Sequence, residues 1–244
     1  MNSDKLLVNE IYLSLQGEST FAGLPCIFIR LTGCNLRCSY CDTAYAFSGG
    51  KTMDLDDVVR RINELSGSLV DTAEGRLPLI ELTGGEPLLQ KGSIPLMESL
   101  SKAGFTVLLE TSGAHDIEGV PSSVRRIMDL KCPSSGEVDQ NRFENLSLLR
   151  PIDELKFVIG TVEDYEWAVN LIQNQRLFMR CPILFSWINP VASNEGSDCL
   201  KPLPDGLTPL SRQALAEKII EDALPVRFQL QMHKHIWASE TRGV

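Results

Sequence analysis

The sequence predicts an α/β protein, a partial (β/α) barrel of about six parallel strands. Short apolar runs alternate with segments of helical period, and strands that are joined by helical crossovers run parallel. A hydrophobic content of 43% with 23% charged residues is typical of a globular core. No internal repeat, low-complexity tract or linker divides the chain, so we expect a single domain over residues 1–244.

Seven apolar runs have the length and composition of strands, and helical segments lie between most of them. The runs are 26–32, 77–83, 105–110, 126–130, 154–159, 181–186 and 226–231, and the helical segments are 54–66, 94–103, 163–175 and 208–223. In the first helix the apolar residues share one face, with Asp54 as the expected N-cap and Gly67 as the stop. The irregular segment 187–206 is too long for a simple connection, which predicts either a lid or binding loop or a floppy insertion.

Charge and composition indicate what kind of molecule the protein binds. A net charge of −9 argues against nucleic acid, whose binding depends on clustered Lys and Arg. No apolar run approaches the length that spans a membrane. Residues 1–10 lack a charged and then apolar leader, and the cysteines number seven, an odd total. We therefore expect a reduced, cytoplasmic protein with a small-molecule substrate.

The most informative motif is a cysteine triplet in the loop 33–43, directly after the first predicted strand. Cys34, Cys38 and Cys41 stand in a CxxxCxxC spacing. Structural zinc prefers four closed ligands, whereas an iron–sulfur cluster that is held by three cysteines leaves one iron open to a ligand. The alternative is a zinc site completed by a distant ligand. Candidates for that ligand are His115, His233, His235 and the remaining cysteines, Cys26, Cys132, Cys181 and Cys199, which otherwise read as packing residues.

A second motif, Gly84-Gly85-Glu86-Pro87, follows the second predicted strand. Two glycines let the backbone approach a ligand closely, and the Glu86 carboxylate could dock an ammonium group. Alone, this segment is more often an ordinary Gly-Gly turn. Together with the cysteine triplet, it resembles the radical S-adenosylmethionine (SAM) superfamily. The resemblance implies a [4Fe–4S] cluster on Cys34, Cys38 and Cys41 whose open iron binds the amino and carboxylate groups of SAM.

The same resemblance implies which residues contact SAM. They are Tyr40, Cys41, Asp42, Gly84, Gly85, Glu86, Gly113 and Ser134. Tyr40 occupies the position whose ring lies near the adenine, although a core-packing tyrosine is an alternative. Ser134 lies in the segment 131–135, which departs from the shorter Ser-Pro-Lys pattern of some relatives.

Further motifs resemble the 7-carboxy-7-deazaguanine synthase family of the queuosine and 7-deazapurine pathway. They are Ser14-Leu15-Gln16-Gly17-Glu18, Ile27-Phe28-Ile29-Arg30-Leu31, Cys41-Asp42-Thr43, Glu110-Thr111-Ser112-Gly113 and Leu230-Gln231-Met232-His233-Lys234. The resemblance implies a lyase that contracts the ring of 6-carboxy-5,6,7,8-tetrahydropterin to 7-carboxy-7-deazaguanine and releases ammonia. It also implies Mg²⁺, a homodimer, and an electron donor such as flavodoxin or ferredoxin.

The family pattern assigns a substrate-binding set. Its members are Leu15, Gln16, Gly17, Arg30, Thr111, Gln231, His233 and the terminal residue Val244. Arg30 alternates with Phe28 and Thr32 on one strand face, so a buried guanidinium there needs an anion. The resemblance makes that anion the substrate carboxylate, and the alternative is an internal ion pair with Glu10 or Glu18.

The resemblance also implies a magnesium role, whereas the sequence leaves the catalytic residues unknown, and a histidine such as His233 is as often structural. Glu18 and His233 are the catalytic candidates, and His233 is expected at the end of the last strand. Thr43 matches the position that ligates Mg²⁺, with a loop-capping hydroxyl as the alternative.

Two other classes stay open at this stage. An activase of glycyl-radical enzymes would share both cluster and Gly-Gly-Glu-Pro motifs, but it would lack the set of Gln16, Arg30, Gln231 and His233. A non-enzymatic metal-binding regulator would need a fourth metal ligand and would not cleave SAM.

Overall fold

The main feature of the computed structural model is a sheet of nine strands; the structure describes residues 3–188, 199–238 and 241–243. The strands of the chain are β1 (Lys5–Leu15), β2 (Pro25–Leu31), β3 (Lys51–Asp54), β4 (Val70–Asp71), β5 (Arg76–Leu77), β6 (Leu79–Gly84), β7 (Val107–Thr111), β8 (Arg125–Leu130), β9 (Glu154–Ile159), β10 (Ile183–Trp187) and β11 (Arg227–Gln229). The helices are α1 (Leu55–Ser66), α2 (Ser93–Lys102), α3 (Val162–Gln175), α4 (Arg212–Glu221) and α5 (His233–Ile236). The sheet order is β11-β10-β9-β8-β7-β6-β2-β1-β3, and β4 pairs with β5 as a separate hairpin.

The predicted fold class is confirmed, because every neighbouring pair from β2 to β11 in the sheet is parallel. The sequence did not predict β1 and β3, which add to the barrel edge in antiparallel fashion. Two crossovers also differ from a regular β/α alternation, since only turns and short 3-10 segments join β7 to β8 and β8 to β9 in the described chain. Of the predicted irregular segment, residues 189–198 lie outside the described residues.

Side chains alternate between the two faces of the sheet, and the two faces differ in what their side chains contact. Outward-pointing residues such as Ile29, Leu82 and Leu109 are fully or almost fully buried in the main core beneath the helices. Inward-pointing residues near the strand starts form a smaller apolar plug. Its buried members are Phe21, Cys26, Phe28, Leu79, Leu108 and Ile127. The inward positions that follow along the strands are polar, so the plug is the floor of a polar cavity.

Helix α1 begins and ends where the sequence predicts. Asp54 occupies the N-cap position, but its carboxylate makes no capping hydrogen bond and pairs instead with Nζ of Lys5 at 3.2 Å. Gly67 ends the helix with a φ of 54°, a left-handed value that favours glycine. Across the described residues, no helix has both the length and the apolar character needed to cross a bilayer.

Candidate active site

A cavity of about 740 Å³ opens at the carboxyl ends of the parallel strands. Its size is within the usual range for small-molecule sites. The three cysteines of the 33–43 loop line it, together with Arg30, Gly84 and Gly85. Carboxyl ends of parallel strands are where α/β proteins place their ligands.

The cysteine loop rests directly on the Gly-Gly turn. A Cβ at Gly85 would lie 2.1 Å from the carbonyl oxygen of Gly33, and a Cβ at Gly84 would lie 2.3 Å from that of Leu31. The backbone N–H of Glu86 also donates to the Gly33 carbonyl at 2.8 Å. The two glycines are therefore required by the contact between the β6 turn and the cysteine loop, which holds the loop against the cavity.

The side chain of Glu86 is turned into the protein. It is 0% exposed, and its carboxylate accepts bonds from Oγ1 of Thr111 at 2.9 Å and from both N and Oγ of Ser112 at 2.8 and 2.6 Å. We expected this carboxylate to bind an ammonium group. In the structure it already accepts these hydrogen bonds, and an ammonium group could bind only if some of them were broken. What the segment presents to the cavity is the backbone of Gly84 and Gly85.

The donor set suits an iron–sulfur cluster. Cys34, Cys38 and Cys41 are all free thiols that face the one cavity. Within the part of the chain that the structure describes, no three His, Cys, Asp or Glu side chains are placed to share a single metal ion. A cubane makes a different demand, because each cysteine binds a separate iron. Burial raises the pKa of all three thiols, that of Cys41 to about 12, so binding metal would displace protons.

The residues beside the cluster loop fall into two groups. Tyr40 lines the cavity, and its buried hydroxyl has no hydrogen-bond partner among the described residues. Asp42 lines it too, and pairs with Nζ of Lys234 at 2.7 Å. Burial works to raise the pKa of Asp42, but Lys234 outweighs it and holds that pKa well below its usual range. Gly113 and Ser134 are not among the described lining residues, and Ser134 instead bonds Asp164 through N and Oγ.

Thr43 lies on the rim of the same cavity. Its Oγ1 donates to Oδ1 of Asp42 at 2.9 Å. The hydroxyl side chain is thus placed beside the Asp42 carboxylate, and carboxylate and hydroxyl oxygens are both hard ligands of the kind that Mg²⁺ accepts.

Arg30 faces the cavity from β2 and is held by β1. Its Nε donates to Oε1 of Glu10 and its Nη2 to the hydroxyl of Tyr12, each at 2.8 Å. The ion-pair alternative for Arg30 is therefore present in the protein, with Glu10 rather than Glu18 as the partner. Tyr45 joins this group through Glu10, because its hydroxyl donates to the same Glu10 oxygen at 2.8 Å. No described residue accepts a hydrogen bond from Nη1, which leaves that nitrogen available to an anion in the cavity.

The predicted pterin-binding residues converge on one wall. Gln16 is 4% exposed, and its Oε1 accepts the backbone N–H of Glu18 at 2.9 Å. Glu18 in turn accepts from Nε2 of Gln231 at 3.2 Å. His233 packs against Gly17, where a Cβ would lie 3.0 Å from its Nδ1. His233 begins the short helix α5 rather than ending the last strand, because β11 stops at Gln229. Leu15 and Thr111 also line this cavity.

The chain end folds towards the cavity mouth. Thr241, Arg242 and Gly243 line it, and the Arg242 guanidinium lies 4.4 Å from the ring centre of Tyr45. Val244, which was predicted to contact the substrate, lies outside the described residues.

Sequence reasoning assigned no role to several charged residues that line the cavity. Among them, Glu81 on β6, Glu110 on β7 and Lys156 on β9 form a network in which Lys156 pairs with both Glu110 and Glu18. Burial alone would lower the pKa of Lys156, but Glu110 and Glu18 outweigh it and raise that pKa well above its usual value. The signal was present, because a charged residue inside an apolar parallel strand must face a cavity or a partner.

Comparisons with known proteins agree with this site. The model of the Radical SAM superfamily matches residues 28–136. A 7-carboxy-7-deazaguanine synthase from Koribacter versatilis is 43% identical over 97% of this chain and 99% of its own length. Its counterpart from Chlorobaculum tepidum is 39% identical over 98% of this chain and 97% of its own. A crystal structure of QueE from Escherichia coli has the same fold, with a TM-score of 0.69 and 23% identity over 94% of this chain and 95% of that chain.

The parallel sheet, the cysteine loop and the superfamily match define the class of protein as a radical SAM enzyme. Its cofactors are accordingly a [4Fe–4S] cluster and SAM. Within that class, the chain belongs to the 7-carboxy-7-deazaguanine synthase family. Full-length similarity to these relatives sets aside the alternatives of a zinc site, a glycyl-radical activase and a non-enzymatic regulator.

Proposed function

We propose that this chain converts 6-carboxy-5,6,7,8-tetrahydropterin to 7-carboxy-7-deazaguanine and ammonia. The observation that carries the proposal is that one cavity contains both the three cysteine thiols and the Arg30 guanidinium. A cluster and SAM supply, when bound, the one-electron chemistry that activates a substrate C–H bond. The other residues of the cavity are then available to bind and orient a small anionic heterocycle.

Arg30 is suited to the substrate carboxylate. Its guanidinium is oriented by Glu10 and Tyr12, so little rotamer freedom is lost when an anion binds to the remaining nitrogen. Thr43, with Mg²⁺, would bind the same carboxylate from the side of the cluster loop. Gly84, Gly85, Tyr40 and Asp42 remain the candidates for SAM, whereas Glu86, Gly113 and Ser134 would support the site from behind the cavity wall.

The opposite end of the substrate is an aminopyrimidinone with donors and an acceptor on one edge. Gln16, Gln231 and His233 offer amide and imidazole groups to such an edge, and Glu18 offers a carboxylate that accepts from an amino group. The tail residues 241–243 line the cavity and would limit access of water to the bound substrate.

The decisive experiment is turnover by the reconstituted protein. The chain is reconstituted anaerobically with iron and sulfide, then incubated with SAM, Mg²⁺, a chemical reductant and the carboxylated tetrahydropterin. We expect the deazaguanine chromophore and one equivalent of ammonia per product. Cleavage of SAM without any deazaguanine would keep the superfamily chemistry and refute the proposed substrate.

The proposal also covers the electron donor, the oligomeric state, the domain organisation and the cellular location. We infer an electron donor such as flavodoxin or ferredoxin, a homodimer, a single domain and a cytoplasmic location. Each rests on the resemblance or on composition, and size-exclusion chromatography with light scattering tests the homodimer directly.

A further inference from the structure

The cavity wall contains a closed ring of hydrogen bonds. Some members of this ring have no role in the substrate binding proposed above. Nε2 of Gln16 donates to Oε2 of Glu81, and the carboxyl group of Glu81 hydrogen-bonds that of Glu110. Lys156 donates to Glu110 and, at 3.1 Å, to Glu18. The backbone N–H of Glu18 closes the ring by donating to Oε1 of Gln16 at 2.9 Å.

The bonding partners within the ring indicate which of its two carboxyl groups carries a proton. Two carboxyl groups can hydrogen-bond each other only when one of them carries a proton. Glu110 is already ion-paired with Lys156, which favours its charged form. Among the described residues no cation forms an ion pair with Glu81, which is 1% exposed, so Glu81 is the member that holds the proton.

We propose that the Glu81–Glu110 carboxyl pair supplies the proton with which ammonia leaves the substrate. Glu110 is the catalytic residue, because its side chain is 27% exposed and lines the cavity. Glu81 is a positioning residue that acts through Glu110, because it stores the proton that Glu110 relays to the substrate. This inference rests on the proposed function, since it assigns a step of that reaction.

The step balances without an added oxidant or reductant. Glu81 first passes its proton to Glu110 along their shared hydrogen bond. When the C–N bond breaks, its electron pair goes to nitrogen, and the nitrogen takes that proton from Glu110 to leave as ammonia. Formation of the aromatic five-membered ring releases a proton from the substrate, and the carboxyl pair takes it back. Substrate minus ammonia equals product, so the pair ends each cycle as it began.

Electrostatics favour a stored proton at this place. Burial, and then repulsion by Glu110, raises the pKa of Glu81 well above its usual value, although Lys156 acts in the opposite direction. A carboxyl group that stays protonated at neutral pH can act as an acid there. The groups that face Glu81 are Tyr12 from β1, Gln16 and Glu18 from the segment after β1, Cys26 from β2, Glu110 from β7 and Lys156 from β9.

Glu81→Gln is the test, because glutamine can accept from Gln16 and donate to Glu110 but has no proton to give up. We expect kcat for ammonia release to fall by about 10²-fold, the lower end for general acid catalysis, while KM changes less than about twofold. The alkaline fall of kcat in the wild type, which follows loss of the Glu81 proton, should be absent in E81Q. Cluster absorbance and uncoupled SAM cleavage should match the wild type.

Glu154→Gln is the matched control. Glu154 is also a buried strand carboxylate, 2% exposed, but it bonds Thr20 and is not among the described lining residues. E154Q should keep the wild-type kcat and its pH profile. A wild type that forms no deazaguanine refutes the proposed function, whereas an active wild type with an unchanged E81Q refutes only this inference.

Two other results are possible for E81Q, and each one tests the proposal. If E81Q raises KM and leaves kcat unchanged, Glu81 only orients Gln16 and the proton role is refuted. If E81Q does not retain its cluster, Glu81→Asp replaces it, because aspartate keeps a titratable proton on a shorter side chain. The alkaline limb of kcat must then shift between wild type and E81D, and an identical limb overturns the proposal.

Discussion

Nε of Arg30 lies 2.8 Å from Oε1 of Glu10, and this pair spans the neighbouring strands β1 and β2 directly opposite each other in register. The Arg30 guanidinium is therefore compensated before any substrate binds. A substrate carboxylate that reaches Arg30 must share it with Glu10, which makes the fork-shaped geometry of arginine essential.

The first prediction concerns Arg30→Lys. Lysine keeps the charge but loses the planar two-pronged donor, so substrate binding should weaken by about 1.5–3 kcal/mol. The measurement is KM for the pterin, with uncoupled SAM cleavage expected to survive. Arg125→Lys is the control, because Arg125 lies over the Phe21 ring and is not among the described lining residues. Normal substrate affinity in R30K would make Arg30 a purely structural ion-pair residue.

The second prediction concerns the cysteines. Replacing Cys34, Cys38 or Cys41 with Ala should abolish cluster binding and activity together, because each thiolate serves a different iron. Cys132→Ala should keep its cluster and lose only about 1 kcal/mol of stability, since Cys132 is buried in the main core. Iron and sulfide analysis after anaerobic reconstitution decides the matter, and a cluster that persists in C38A would refute the assignment.

The third prediction concerns Gly85→Ala. The new methyl group would lie 2.1 Å from the Gly33 carbonyl oxygen and 3.0 Å from Cβ of Cys34, so the cysteine loop must move. We expect a loss of about 1–3 kcal/mol in stability and a reduced iron content after reconstitution. Gly119→Ala is the matched control, because no atom of the described residues lies within 4 Å of its Cβ position. Full iron content in G85A would show that the loop adjusts freely.

The fourth prediction concerns Thr43 and magnesium. If Thr43 holds Mg²⁺ against the substrate carboxylate, activity should rise with added Mg²⁺, and Thr43→Ala should blunt that rise while SAM binding is retained. Titration of kcat/KM with Mg²⁺ in both proteins is the measurement. An equal response in the two proteins would remove Thr43 from the magnesium site.

The fifth prediction concerns stability and pH. Asp153 is buried and accepts bonds from Arg126 and Arg150, far along the strands from the cavity. Burial would raise its pKa, but the two arginines outweigh burial and hold the pKa below its usual value. Such a carboxylate stabilises the fold above the unfolded pKa of about 3.9, and that stability is lost as pH falls.

Asp153→Asn should therefore lower the free energy of unfolding by about 3–5 kcal/mol at neutral pH, because the buried Arg126 guanidinium and the partly exposed Arg150 guanidinium lose their anion. The difference from wild type should shrink as the pH falls below about 4. Denaturant unfolding at several pH values measures both effects. Asp116→Asn, which breaks an exposed pair with Arg142, should cost less than about 1 kcal/mol.

The sequence by itself determined the parallel strands, most helices and the chemistry of the cysteine loop. These features are local: apolar runs, helical periodicity and ligand spacing lie within a few residues of one another, as in the segment 33–43. Strand β1 escaped prediction because polar residues such as Asn9 and Glu10 interrupt its apolar pattern.

Only the tertiary structure decided which charges meet. Glu81, Glu110 and Lys156 are distant in sequence and come together because inward-facing positions of β6, β7 and β9 surround one cavity. The same packing turned Glu86 away from that cavity and paired Arg30 with Glu10. A side chain's partner depends on strand register and on which face is enclosed, and both are set by long-range packing that no short stretch of sequence contains.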